Sequence, residues 1–330
     1  MAVDDGDPAS QLARAEGQPR AANLSTKVTE WLAKQGLPLE LRVARAFRAQ
    51  GFQVQSNRFV DVPGVRRPRE IDVLAVSARN TALLRARFEL YVECKWSRDK
   101  PWVVFASDGA GPPVPAILQA VPANPMGEAL LWLLQDSDDL ASLIPFATSG
   151  PLAHGGRRSL GKDGNRLDRF YAAMQSVTTI ARAGVSAMCS QPTTWEPSYE
   201  PAFAFPVVVI DAPLFEARLA EGSDDLSLAP IERARVLWRG FRAEDLFCVE
   251  LVRAASVEAF AADCAAGLQR AFDPLSLAHA EVMQAIHTNN PAPLSHRFYG
   301  RTLSPPIVVP TILRALATMH LKELERRISS

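Results

Sequence analysis

Asp72, Glu93 and Lys95 are the residues whose types and spacing are fit to do chemistry. They lie on two strand-like runs, Arg69 to Val76 and Phe88 to Trp96, joined by a connection centred near Ala82. Folded as an antiparallel hairpin about that centre, the runs pair residues whose numbers add to about 165, so that Asp72 faces Glu93. Directly opposed residues hold their Cβ atoms about 4.5 to 5.5 Å apart, close enough for two carboxylates to share one small cation. Period-two alternation then sets Glu70 opposite Lys95 on the same face. Ile71, Val73, Ala75, Val92, Cys94 and Trp96 fall on the other face, which reads as core. Leu74, Val76 and Tyr91 return the charged face to apolar character, which confines the charges to one end.

Three acids beside one amine raise one another's pKa unless a cation compensates them. Oxygen donors without imidazole or thiolate favour a hard ion, Mg²⁺ first and Mn²⁺ second. Such an ion stabilises charge developing on a phosphoryl oxygen and lowers the pKa of bound water, and the lysine is placed to orient that water or help deprotonate it. Lysine itself is scarce. Of the 36 basic side chains only Lys27, Lys34, Lys95, Lys100, Lys162 and Lys322 are lysines.

The elements that must position these groups follow from hydrophobic periodicity. Two helices are expected between Ser25 and Gln50, divided by Gly36 and Pro38. The second buries Leu39, Val43, Ala46 and Phe47 and carries Glu40 in its first turn. Three strands follow: Phe52 to Val60 and the two runs above. Residues 106–165 break the pattern and read as an insertion with a helix near Glu128 to Ile144. A helix from Leu167 to Met188 leads back to a strand at Phe205 to Ile210. Further strands are expected at Arg235 to Trp238 and Phe247 to Val252, and helices at Val257 to Arg270 and Thr311 to Arg327. Residues 1–23 lack apolar periodicity and read as a disordered lead-in.

With these elements in place, the segment WLAKQGLPLELRVARAFRAQGFQV, then REIDVLA, then YVECK, from Trp31 to Lys95, resembles the PD-(D/E)xK, restriction-endonuclease-like superfamily. The later helix and strand, Leu167 to Ile210, fit its α-β-β-β-α-β core order. The resemblance implies an α/β fold with a mixed central sheet, an insertion after the third strand and a C-terminal extension. Residues 24–255 would form the nuclease-like domain and 256–330 a mainly helical extension. Carried over by position, Asp72 matches the metal-bridging aspartate, Glu93 and Lys95 the E-x-K pair, and Glu40 the helix glutamate that contributes to the metal. The backbone carbonyl of Cys94 matches a further ligand. Glu70-Ile71 stand where the founding motif has a proline. The implied activity is Mg²⁺-dependent hydrolysis of DNA phosphodiesters, of endonuclease type, in a bacterial restriction or defence setting. A homodimer or a partner protein of a defence system fits that setting. The rivals are a nuclease-like DNA-binding or scaffolding module without catalysis, and an enzyme acting on RNA or on DNA ends.

Other features carry less. Gly156 to Lys162 fits G-x-x-x-x-G-K, yet Asp163 replaces the Ser or Thr and no strand is expected before it, so it is not a P-loop. Its Arg157, Arg158 and Lys162 are candidates for gripping phosphates, and Tyr171 and Gln175 for facing a substrate groove. Four cysteines without a C-x-x-C pair and five histidines without ligand spacing argue against zinc. The 36 acids balance the 36 bases, so nucleic-acid contact must be a local patch. No apolar run approaches the roughly 20 residues of a membrane span and no secretory leader is evident, so a cytoplasmic protein is expected.

Overall fold

In the computed structural model the described residues are 23–32, 36–81, 84–96, 100–106, 114–135, 137, 140, 143, 145–146, 151–159, 168–190, 200–219, 223–240 and 246–288. The expected lead-in, Lys162 and the helix at Thr311 to Arg327 lie outside them, apart from Asn23. The elements are α1 (23–32), α2 (Leu37–Ala49), β1 (Gln53–Val60), β2 (Arg69–Asn80), β3 (Arg85–Trp96), β4 (Trp102–Ala106), α3 (Val114–Gln119) and α4 (Pro125–Leu133). Then come β5 (Leu152–Arg158), α5 (Arg169–Ser190), β6 (Ala202–Asp211), β7 (Leu214–Leu219), β8 (Leu226–Pro230), β9 (Arg233–Arg239), β10 (Leu246–Arg253) and α6 (Val257–His287).

All ten strands join one mixed sheet in the order β1-β2-β3-β6-β10-β9-β5-β4-β7-β8. The pairs β1–β2–β3 are antiparallel, whereas β3, β6 and β10 run parallel. Strand β6 is buried from Ala202 to Ile210, the continuous apolar run that a central strand covered on both faces requires. One face of the sheet packs on α2, α4 and α6 through Leu39, Val43, Phe47, Leu130 and Phe260. The other packs on α5, whose Phe170, Met174, Val177 and Ile180 share one apolar cluster with side chains of the sheet and whose contacts run to β1, β2, β3, β5, β6 and β10.

Several expectations change. The helix expected at Glu128 to Ile144 starts earlier and ends at Leu133; Pro125 at its first turn and the Asn124 side chain, accepting from the Gly127 N–H at 2.8 Å, set its start. The expected insertion returns β5 to the main sheet between β9 and β4. Strands β4, β7 and β8 carried no readable periodicity. Helix α6 runs past Arg270 to His287 with Pro274 inside it. A proline forfeits one backbone bond there, and Phe272, Leu275, Ala278 and Val282, all buried in the core shared with α2, hold the helix across it. One face of α6 therefore belongs to the core; Phe260 meets Phe47 edge to face at 6.3 Å. No helix among the described residues is long and apolar enough to cross a membrane.

Candidate active site

The β2–β3 ladder keeps the expected register, with Val73 opposite Val92 and Asn80 opposite Arg85, and it stops at Val73. Beyond that point β2 stays with β1 while β3 stays with β6, pairing Glu93, Cys94 and Lys95 with Val208, Val209 and Ile210. The two strands part just where the charges begin. Asp72 fills the gap: its Oδ2 accepts the Cys94 N–H at 2.6 Å, the bond that the next backbone carbonyl of β2 would otherwise take. A strand residue sends its N–H and C=O out along the same edge, so the Cys94 carbonyl also faces this opening.

Glu93 is buried at 7 % exposure, and its Oε1 accepts from Lys95 Nζ. Its Oε2 lies 3.5 Å from Ser176 Oγ, which donates from α5. Glu40 enters from the first turn of α2, which is preceded by Gly36, a left-handed residue with φ 83°. A hydrogen bond from Asn57 helps keep Glu40 ionised, and Glu70, Glu93 and Lys95 all act on its charge. Asn57 also has a positive φ, 52°, and stands at the unpaired position of β1 facing Asp72.

The electrostatics follow from this crowding. Burial first, then the Glu93 and Glu40 charges, push the Asp72 carboxyl up to about 7, against the opposing pull of the Cys94 N–H and Lys95. Glu40 is raised as well, by burial and then by Glu70. The Cys94 thiol is pushed well up by burial and by Asp72, so it stays protonated. The carboxylates outnumber the one amine among them, so the cluster carries an excess of acidic groups.

Oxygen donors of this kind suit a hard ion. Among the described residues no group of three or more His, Cys, Asp or Glu side chains is gathered as a ready-made metal cage. Mg²⁺ does not demand one: it commonly rests on one or two carboxylates, keeps several waters and takes the rest from phosphate. Asp72, Glu93 and the Cys94 carbonyl are the groups that could supply such donors, and Glu40 acts on the charge of Asp72.

Glu40, Asp72, Glu93 and Lys95 are thus brought together, while other expected residues fall elsewhere. Glu70 pairs with Phe59 of β1 and its Oε1 accepts from Asn57 Nδ2 at 3.1 Å, so it is not the cross-strand partner of Lys95; the ladder has ended before that pair forms. Ile71 packs with Leu74, Val76 and Tyr91 and not with Val73 and Ala75, because the chain twists at the unpaired Asp72 and Asn57 positions. Arg157 and Arg158 belong to β5 and not to a loop. Arg158 is buried at 7 %, which withdraws it from phosphate contact, and Arg157 is paired to Asp168 at 3.3 Å. Tyr171 and Gln175 line a pocket on the outer surface of α5, one residue from the Ser176 that touches Glu93.

Sequence reasoning missed Asn57 and Ser176. An asparagine inside a strand-like run, tolerant of positive φ and depleted from strands, was a usable signal for the first. Ser176 carries no local signal, since its partner is 83 residues away. Compared with protein-family models, with curated proteins and with solved structures, the chain matches none.

Proposed function

We propose that the chain is a metal-dependent nuclease of the PD-(D/E)xK kind, hydrolysing DNA phosphodiesters, with α2-β1-β2-β3-α5-β6 as its restriction-endonuclease-like core. The observation that carries this reading is the parting of β2 from β3 at Asp72. It leaves Asp72, Glu93, Lys95 and Glu40 around one opening with an excess of negative charge. Asp72, Glu93 and the Cys94 carbonyl would hold Mg²⁺, with Mn²⁺ as a substitute and Glu40 assisting. When bound, the ion supplies stabilisation of phosphoryl charge and a water of lowered pKa. Ser176 orients Glu93, and Glu93 in turn fixes the Lys95 ammonium beside the opening, where it orients the attacking water or meets charge developing on the phosphate. Cytoplasmic restriction or defence is the setting this chemistry suits, with a second copy or a defence partner as the associated protein.

Purified protein should nick or linearise plasmid DNA in Mg²⁺ and stop in EDTA. Asp72→Ala and Lys95→Ala should each lose at least about 100-fold in rate. Cutting by either variant at the wild-type rate overturns the assignment. DNA binding without any cutting in Mg²⁺ or Mn²⁺ replaces it with a module that binds without catalysing.

A further inference from the structure

A pocket of about 380 Å³ opens on the outer surface of α5, within the range of about 300 to 1,000 Å³ in which small-ligand sites fall. Its walls are aromatic. Tyr171, 41 % exposed, meets the buried Trp238 edge to face with ring centroids 4.8 Å apart. Phe247 completes that side, with the Arg182 guanidinium 4.9 Å above its ring. Val62 and Pro63 also line it, at the head of a turn that continues into the exposed Arg66 and Arg67. Gln175 and Thr179 supply polar groups to the lining.

An exposed aromatic ring, here Tyr171, with guanidinium groups and amide or hydroxyl groups in the same pocket is a means by which proteins take up an unpaired base: the ring stacks, the cations draw in the flanking phosphates, and the polar groups reach the base edge. Helix α5 links the pocket to the carboxylate cluster: Gln175 lines the pocket, and Ser176, the next residue, contacts Glu93. We infer that this pocket receives an unpaired nucleobase of the DNA strand that is cut at the neighbouring carboxylates, so that the substrate is single-stranded or locally opened DNA. The inference rests on the nuclease reading for the cutting, but the uptake of a base needs no metal and can be measured without it.

The test is fluorescence anisotropy with labelled oligothymidylate and with a duplex of equal length, in EDTA, using the full chain. Wild type should prefer the single strand. Tyr171→Ala should weaken single-strand binding about 5- to 100-fold, the loss of one stacked base, and leave duplex binding within about twofold. Tyr171→Phe, which keeps the ring, should restore it. With wild-type protein, an oligonucleotide made entirely of abasic units should lose a similar factor, and this arm does not depend on how any variant folds. Equal binding of abasic and normal strands, or equal losses on single strand and duplex, overturns the inference. Failure of the Mg²⁺ cleavage assay with these binding results intact would refute the nuclease reading alone, whereas cleavage that is indifferent to Tyr171 and to strand opening would refute only the base pocket.

Discussion

Replacing Asp72 by Asn should stabilise the metal-free protein at neutral and alkaline pH while abolishing the activity proposed for it. In the folded chain the Asp72 carboxyl titrates near 7, against an ordinary value of 3.8, because burial and Glu93 oppose its ionisation. Between those two values the folded state holds a proton that the unfolded state has already released, so stability falls as pH rises through this window. Asparagine never ionises, and its amide oxygen can still accept the Cys94 N–H. The stability gap between variant and wild type should be absent below about pH 4, open through pH 4 to 7, and reach up to about 4 kcal/mol above it, at about 1.4 kcal/mol per pH unit. At about 2 °C per kcal/mol for a large domain, that is a rise of up to roughly 8 °C in Tm at pH 8. Thermal unfolding of both proteins in EDTA, from pH 4 to pH 8.5, measures it. Mg²⁺ at about 100 times its Kd should add about 2.7 kcal/mol to the wild type at pH 8 and little to Asp72→Asn. A gap that does not change with pH would show that Asp72 is not held protonated by its neighbours. Equal stabilisation of both proteins by Mg²⁺ would place the ion elsewhere.

Other perturbations probe the frame around the site. A Cβ on Gly184 of α5 would lie 1.7 Å from the Tyr91 hydroxyl oxygen and 2.4 Å from the adjoining ring carbon. Gly184→Ala should therefore destabilise by about 1 to 3 kcal/mol, read by urea unfolding, and Tyr91→Phe should relieve only part of this because the ring itself is too close. Arg235 and Glu250 form a buried pair at 3.5 Å between β9 and β10. Arg235→Met should cost about 3 to 5 kcal/mol by stranding Glu250, and Arg235→Met with Glu250→Leu should recover most of it; a double variant no better than the single one refutes the pairing.

Much of the site was legible because its geometry is local. The spacing of Asp72 and Glu93 about a turn near Ala82 fixed the hairpin register, since a one-residue slip would have sent the apolar side chains of both strands to the wrong faces. Alternation put Glu93 and Lys95 on one face, and helical periodicity with Gly36 and Pro38 put Glu40 in the first turn of α2. None of this required knowing what lay on the far side of the sheet.

What only the tertiary structure decided depends on residues distant in the chain competing for the same edges. The ladder ends at Val73 because β1 keeps the start of β2 and β6 keeps the end of β3, and no property of the hairpin alone specifies that parting. The opening between the strands, the Asp72 carboxyl near 7, the Ser176 contact and the aromatic pocket beside it all depend on where β6, β9, β10 and α5 come to rest. Sequence pattern sets which face a side chain takes, because alternation is a property of the backbone. Burial and charge coupling are set by what packs against that face, and that is a property of the whole fold.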